Sequence, residues 1–310
     1  MNILTEIQSL GSIQGPLHLA IGVFDGVHLG HQAVIKAAVE QQQDVGGAVV
    51  VVTFDPHPIT VLAPGKAPRL LTSTHHKALL LRDILEVANL LEVRFDLEFA
   101  SQPGDVFIRK LCSSAEIGSI AVGRDFQFGK NRSGNVDLLE QLSVELNYRL
   151  HATEIVEIDN IVVSSTEIRK AIKHGDFQEA RKLLGREYTV LGTVIKGRQL
   201  GRTIGFPTAN LTVHSEQLPP TGVYAVRAVA ADCTRGGVAN LGFRPTVEGA
   251  DPKRLLEVHL FGLDHDIYGE DLEIEFVQFL RGEQKFGNFD DLKAQIEKDS
   301  SRARMIVGEN

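Results

Sequence analysis

A doubly wound α/β domain followed by a small antiparallel β-barrel is the fold class this chain predicts. Three observations carry that expectation. Strand-length apolar runs alternate with amphipathic stretches through the first half. Past residue 185 the texture changes to short runs separated by glycine and proline turns. Finally, 310 residues exceed most single cores, so two domains are expected, 1–185 and 186–310.

In the first domain, Leu17–Phe24 is an apolar run ending in Asp25-Gly26, a turn signal, and reads as a strand. A helix over Gly30–Gln43 follows. Ala48–Phe54 is a valine-rich run typical of a strand covered on both faces. Thr72–Ala88 has helical spacing, with Leu79, Leu80, Ile84 and Leu85 on the buried side; His75 and His76 in its first turn read as solvated. Strands are expected at Leu91–Phe95, Ser119–Val122 and His151–Ile158, and helices at Asp105–Leu111, Asn135–Leu146 and Asp176–Leu184. In the second domain, strands are expected at Tyr188–Ile195, Val223–Ala230, Gly237–Leu241, Leu255–Phe261 and Leu272–Leu280, with Phe289–Val307 as a closing helix.

Composition narrows the function. Net charge is −8 with no basic tail, which argues against non-specific nucleic-acid binding. Cys112 and Cys233 lie in different halves, as free thiols in a reducing compartment would. Met1–Glu6 lacks the basic region of a signal peptide, and no apolar run reaches transmembrane length. The expectation is a cytoplasmic protein that meets small molecules, no nucleic acid and no membrane, as a monomer or weak homo-oligomer.

The densest chemistry is His28-Leu-Gly-His31, just after the first strand. Two imidazoles three residues apart share one side of a helix's first turn. The free N–H groups and dipole of that turn form an anion site. Two added His donors suit a triphosphate better than a metal, since no third ligand lies at metal spacing nearby. Asp55-Pro-His57-Pro58 leaves the sheet after the second strand, so Asp55 and His57 face the strand-end crevice, or Asp55 caps a turn. Ser164 and Ser165, with Arg169 a turn later, are either ordinary N-caps or a phosphate cradle. The loop Gly123–Arg132, with Asp125, Phe126 and Phe128, could cover a ring and a phosphate or be a surface turn. It is not a Walker A loop, and no Gly-x-Gly-x-x-Gly opens a helix, which argues against a dehydrogenase.

In the second half, Gly197, Gly201 and Gly205 mark either a backbone approaching phosphates or a flexible connector. Thr208 and Asn210 alternate in an extended segment and offer hard oxygens suited to Mg²⁺. Glu257 and His259 share one strand face; Glu257 is either an exposed strand residue or a general base.

Gly22-Val-Phe-Asp-Gly-Val-His28-Leu-Gly-His31, Thr53-Phe-Asp-Pro-His-Pro58, Val122–Gly129 and Ser164-Ser-Thr-Glu-Ile-Arg169 resemble the adenylyltransferase half of prokaryotic bifunctional riboflavin kinase/FAD synthetases. Gly205-Phe-Pro-Thr-Ala-Asn-Leu211, Gly222–Ala225, Asn240–Thr246, Leu256–His259, Asp266–Gly269 and Phe279–Arg281 with Lys285-Phe286 resemble the kinase half. The resemblance spans nearly the whole chain. It implies a Rossmann-like nucleotidylyltransferase domain and a six-stranded Greek-key kinase barrel. It implies ATP as co-substrate, Mg²⁺ as cofactor, and riboflavin, FMN and FAD as substrates and products. By resemblance, Gly22, Phe24, Asp25, His28, His31, Asp55, His57, Ser164, Ser165 and Arg169 hold ATP in the first domain, with His28 and His31 catalytic and Asp125, Phe126 and Phe128 at the flavin. In the barrel, Gly197, Gly201, Thr208 and Asn210 hold the nucleotide, Thr208 and Asn210 the metal, and Arg281 the flavin, while Glu257 activates the ribityl hydroxyl. Two rivals are a nucleotidylyltransferase with an accessory barrel and a non-catalytic nucleotide or flavin sensor.

Overall fold

A computed structural model describes residues 1–197, 205–214, 217–229, 234–243 and 254–308. The chain divides into two compact units, Met1–Arg69 with Thr74–Ser165, and Leu70–Ser73 with Thr166–Asn310.

The first unit is a six-stranded parallel sheet in the order β1-β4-β3-β2-β5-β6. Its strands are β1 (Asn2–Leu4), β2 (Leu17–Ile21), β3 (Ala48–Asp55), β4 (Asn89–Arg94), β5 (Ile117–Gly123) and β6 (Arg149–Thr153). Between them run α1 (Leu29–Val45), the short α2 (Pro58–Leu62), α3 (Thr74–Leu85), α4 (Leu97–Ala100), α5 (Gly104–Ser114) and α6 (Val136–Leu146). Successive strand residues point to opposite faces, so each strand feeds two cores. Leu19, Val50, Val52, Leu91, Ile120 and Val122 pack with Phe107, Ile108, Leu111 and Leu139 of α5 and α6. Ala20, Val49, Val51, Leu90 and Ala121 pack with Val34, Ile35, Ala38 and Leu81 of α1 and α3. Strand order reverses between β2 and β5, and the carboxyl ends of that pair are where such a sheet opens a ligand crevice.

Three local expectations are corrected. β2 stops at Ile21 because Phe24 takes φ 53, which no strand accommodates. The strand expected at His151–Ile158 is two pieces: β6 ends at Thr153, and a separate hairpin pairs β7 (Glu157–Ile158) with β8 (Ile161–Val162). In α3 the buried stripe includes His76, Lys77, Ala78, Leu80 and Leu81, while Ile84 is exposed. His76 is therefore a buried residue and not a solvated one. The edge strand β1 carries no periodic signal over its three residues and was not expected.

In the second unit, β9 (Thr189–Ile195), β10 (Ala209–Val213), β11 (Gly222–Val229), β12 (Thr234–Phe243), β13 (Arg254–Leu260) and β14 (Asp271–Arg281) close an antiparallel barrel in the order β10-β13-β12-β11-β14-β9. Closure by β9 against β10 removes both sheet edges. Helix α8 (Phe177–Leu184) follows α7 (Ser165–His174) and lays Phe177 on Phe276 at 5.8 Å and 16°. The last helix, α9 (Phe289–Val307), seats Ala303, Ile306 and Val307 on Val223, Ala225, Val238 and Leu280. The Arg304 guanidinium lies 4.0 Å from the centre of the Phe261 ring. Among the described residues, no helix is long and apolar enough to cross a membrane.

Candidate active sites

In the first unit, His28 is the N-cap of α1. Its Nδ1 accepts the backbone N–H of His31 at 3.3 Å. That bond requires a lone pair on Nδ1, so a neutral ring carries its proton on Nε2 and presents it as a donor. The His31 ring stacks on the His28 ring at 3.4 Å and 19° and meets the edge of Phe24 at 5.3 Å. Both imidazoles therefore stand together at the N-terminal end of a 17-residue helix, His28 buried and His31 half-buried, and the first N–H groups of such a helix favour an anion.

The turn leading into His28 is conformationally costly. Phe24, Gly26 and Val27 have φ of 53, 87 and 43, and a β-branched residue at positive φ is disfavoured by about 1–3 kcal/mol. Side chains from elsewhere in the unit hold three of its carbonyls. Thr53 Oγ1 donates to Val23 O at 2.9 Å, Ser165 Oγ to Asp25 O at 2.9 Å, and Gln32 Nε2 to Val27 O at 3.0 Å. Gly22 continues β2 through its N–H to Val52 O at 3.1 Å, and a Cβ there would press on the Phe24 ring.

The other expected residues have distinct local roles. His57 caps α2 by accepting the Ile59 N–H at 3.2 Å on Nδ1, the same device as at His28. Asp55 is exposed at the end of β3, where its carboxylate accepts the Thr74 hydroxyl at 2.9 Å. Ser165 spends its hydroxyl proton on the loop carbonyl; Ser164 precedes it, and Arg169 lies on the part of α7 that belongs to the second unit. Asp125 is exposed beside Gly123, at the carboxyl end of β5. Phe128 packs into the core, edge-to-face with Phe107 at 6.5 Å, while half-buried Phe126 stacks over it at 5.1 Å. Phe126, and not Phe128, is thus the outer ring.

In the barrel, strand register builds the site. Ile195 faces Asn210, Asn210 faces Glu257, Glu257 faces Asn240, Asn240 faces Val223, and Val223 faces Arg281. These six residues, one from each strand, form a row around the barrel, and all six line one cavity of about 540 Å³. Gly197, Phe206, Thr208 and His259 line it as well. A Cβ on Gly197 would overlap the Asn210 carboxamide, so backbone and amide touch here. Gly201 lies outside the described residues, as does Cys233. Arg281 is committed to Asp299 of α9 through Nε at 2.9 Å and Nη2 at 2.8 Å, with its guanidinium over Phe286.

Two cavity residues, Asn240 and His259, carry no assigned role in the sequence reading. Asn240 flanks Glu257 on the side opposite Asn210; its motif was visible, but its position beside a carboxylate depends on pairing. His259 is hydrogen-bonded through Nδ1 to Pro207 O at 2.8 Å. A carbonyl only accepts, so Nδ1 carries the proton and the neutral ring keeps its Nε2 lone pair. Burial lowers the His259 pKa, the Pro207 bond opposes that shift, and Arg304 reinforces it.

Comparison with known proteins agrees with both halves. The family model described as FAD synthetase matches residues 11–167, and that described as riboflavin kinase matches residues 184–307. A bifunctional riboflavin kinase/FMN adenylyltransferase of Haemophilus influenzae is 38% identical over 306 residues, covering 98% of both chains. Those of Escherichia coli K12 and Listeria monocytogenes are 38% and 39% identical, over 94% and 92% of this chain and 92% and 91% of theirs. A solved Streptococcus pneumoniae structure, named a macrolide-efflux protein, superposes with a TM-score of 0.81 at 28% identity, over 98% of this chain and 99% of its own.

Proposed function

The chain belongs to the bifunctional riboflavin kinase/FMN adenylyltransferase family, and we infer from that membership how its two sites divide the work. It phosphorylates riboflavin to FMN with ATP and joins AMP from a second ATP to FMN, giving FAD and pyrophosphate. We assign adenylyl transfer to residues 1–185 and the kinase to 186–310.

The observation that carries the kinase assignment is the row in which Glu257 stands between Asn210 and Asn240 on the cavity wall. Phosphoryl transfer asks the protein for positioning and charge compensation more than for covalent chemistry. Glu257 accepts the proton of the terminal ribityl hydroxyl as that oxygen bonds the γ-phosphorus and ADP departs. Thr208 and Asn210 supply a hydroxyl and an amide oxygen, a donor set that fits Mg²⁺ bound also through water and phosphate. When bound, Mg²⁺ offsets charge on the polyphosphate. Gly197 keeps space for the Asn210 carboxamide, and Arg281, held by Asp299, borders the flavin end of the cavity.

In the first unit the nucleophile is an FMN phosphate oxygen, already anionic, so no strong base is required. It bonds the α-phosphorus of ATP as the bond to pyrophosphate breaks. The His28 Nε2–H and the His31 imidazole donate to the phosphate oxygens on which charge accumulates, together with the N–H groups of the first turn of α1. Arg169 and Ser164 add charge and a hydroxyl; Asp55 and His57 border the nucleotide; Asp125 and Phe126 face the flavin, with Phe128 supporting Phe126 from beneath. We also place the enzyme in the cytoplasm, as a monomer or weak homo-oligomer without nucleic-acid or membrane partners.

A chromatographic time course with riboflavin, ATP and Mg²⁺ tests this reading. FMN should appear first and FAD afterwards, and chelation of Mg²⁺ should stop FMN formation. Formation of FAD from supplied FMN without any phosphorylation of riboflavin would reduce the barrel to an accessory.

A further inference from the structure

Lys77 has no place in the chemistry above, yet it is among the most deeply buried charged residues described. It lies in the first turns of α3 at 5% exposure. A lysine is buried only where something compensates its desolvation. Here Nζ donates to Val23 O at 2.8 Å and to Thr53 Oγ1 at 3.0 Å. Thr53, itself fully buried, passes its own proton to the same Val23 carbonyl at 2.9 Å. The three groups form a closed triangle where β2 ends, β3 ends and α3 begins.

That triangle holds the first carbonyl of the strained turn 23–27. Burial lowers the Lys77 pKa from its ordinary value, and Asp25 in the turn, Asp55 on β3 and Glu92 on β4 each oppose that shift by favouring the ammonium form. Asp25 is itself buried at 3% exposure, and it is the largest of the charges that favour the Lys77 ammonium. Ser165 and Gln32 hold the carbonyls of Asp25 and Val27, but both are neutral donors. Of the four side chains that hold the turn, Thr53, Lys77, Ser165 and Gln32, Lys77 is the charged one.

We propose that Lys77 is a positioning residue of adenylyl transfer. Its ammonium fixes the Val23 carbonyl and compensates Asp25. The positive-φ turn is thereby held in the conformation that delivers His28 to the N-cap of α1 with its Nδ1 on the His31 N–H. This rests on the assignment of His28 and His31 to the triphosphate. It adds a residue that touches neither substrate and acts through the backbone of the loop.

The test is Lys77→Met, which keeps the length of the side chain and removes its charge and donors, assayed in the full chain. We expect kcat for FAD formation from FMN and ATP to fall about 30- to 100-fold, as misplacement of a catalytic group by about 1 Å does. KM for FMN should stay within about twofold, because the acceptor site is not part of the triangle. Riboflavin kinase activity of the same preparation should be unchanged, and Lys77→Arg should recover part of the lost kcat. If Lys77→Met leaves the first unit unfolded, the decision passes to Thr53→Val, which should lower kcat by about three- to tenfold with KM for FMN again unchanged. Adenylyl transfer within threefold of the parent in folded Lys77→Met, or a rise in KM for FMN with kcat intact, overturns the proposal. So does an unaltered kcat in Thr53→Val, should that variant decide. Loss of FAD formation in His28→Ala separates the cases: if His28→Ala is fully active, the underlying site assignment fails, whatever Lys77 does.

Discussion

The two active sites are built by opposite means. In the first unit the catalytic side chains stand on a turn at the end of a parallel strand, where Phe24, Gly26 and Val27 all take positive φ. In the second they stand on strand faces, at one level of a closed barrel, where register alone puts Asn210, Glu257 and Asn240 side by side. A turn of that kind has no ladder to hold it, so it borrows donors from Thr53, Lys77, Gln32 and Ser165. In the barrel row the backbone hydrogen bonds that make the fold also set the site's spacing, with Asp299 holding the Arg281 guanidinium at one end. Sensitivity to mutation should therefore reach further from the chemistry in the first unit than in the second.

The largest expected effect is in the barrel. Glu257→Gln keeps the size of the side chain and the register but removes the proton acceptor. Kinase turnover should fall about 10²- to 10⁴-fold while FAD formation from supplied FMN proceeds unchanged, both read by chromatography. If both activities fell in a folded protein, the division between two independent sites would be broken.

Next comes His28, where a pair of substitutions separates catalysis from capping. His28→Ala loses the phosphate donor and the cap, so FAD formation should drop about 10²- to 10³-fold and helix stability should fall by about 1 kcal/mol. His28→Asn restores a good N-cap acceptor without an Nε2–H. Its melting temperature should return toward the parent while FAD formation stays low. Equal activity in His28→Asn and the parent would reduce the imidazole to a helix cap.

How much of this could be read from the chain follows from whether a signal is local. The parallel sheet and the barrel were legible, because Ala48–Asp55 and Asp271–Arg281 carry burial patterns written into consecutive residues. The His28-x-x-His31 pair was legible as a pair, because its two rings are close in sequence and stack in the fold. The backbone turn at Phe24 was not, since no residue type announces a positive φ there except Gly26. Lys77 was hidden for another reason: a lysine in a helix reads as solvent-facing, and only the packing of α3 turns it inward. Asn240 stands beside Glu257 through pairing of β12 with β13, which no local pattern specifies. Phe126 and Phe128 look equivalent in sequence, yet Phe128 is core and Phe126 is a half-buried ring stacked on it.

A smaller effect tests how tightly the barrel row is packed. Gly197→Ala would drive a methyl group into the Asn210 carboxamide. Overpacking of this kind costs about 1–3 kcal/mol, so KM for ATP in the kinase reaction should rise about tenfold or more. FAD formation from FMN should not change. An unaltered KM would show that the amide can swing aside and that its position is not what holds the nucleotide.

The smallest effect concerns His259, the one titratable cavity group whose tautomer the backbone dictates. Its Nδ1–H is bound to Pro207 O, so a second proton must enter on Nε2, within a half-buried site and near Arg304. Burial first, and that guanidinium after it, lower the folded pKa below the ordinary value of about 6.5, despite the opposing Pro207 bond. A base with a lowered folded pKa binds fewer protons folded than unfolded between those two values. Stability therefore rises with pH across that window and is lost as pH falls from about 6.5 toward the folded pKa. Calorimetry of the parent should show the barrel melting at lower temperature as pH falls from about 7.5 to 5.5. His259→Gln keeps a donor for Pro207 but cannot titrate, so its melting temperature should fall less over the same range. Identical pH slopes in the two proteins would mean that His259 gains its second proton as readily in the barrel as in the unfolded chain. The cavity wall would then be wet at Nε2, and the contrast with the pinned turn of the first unit would have to rest on strand register alone.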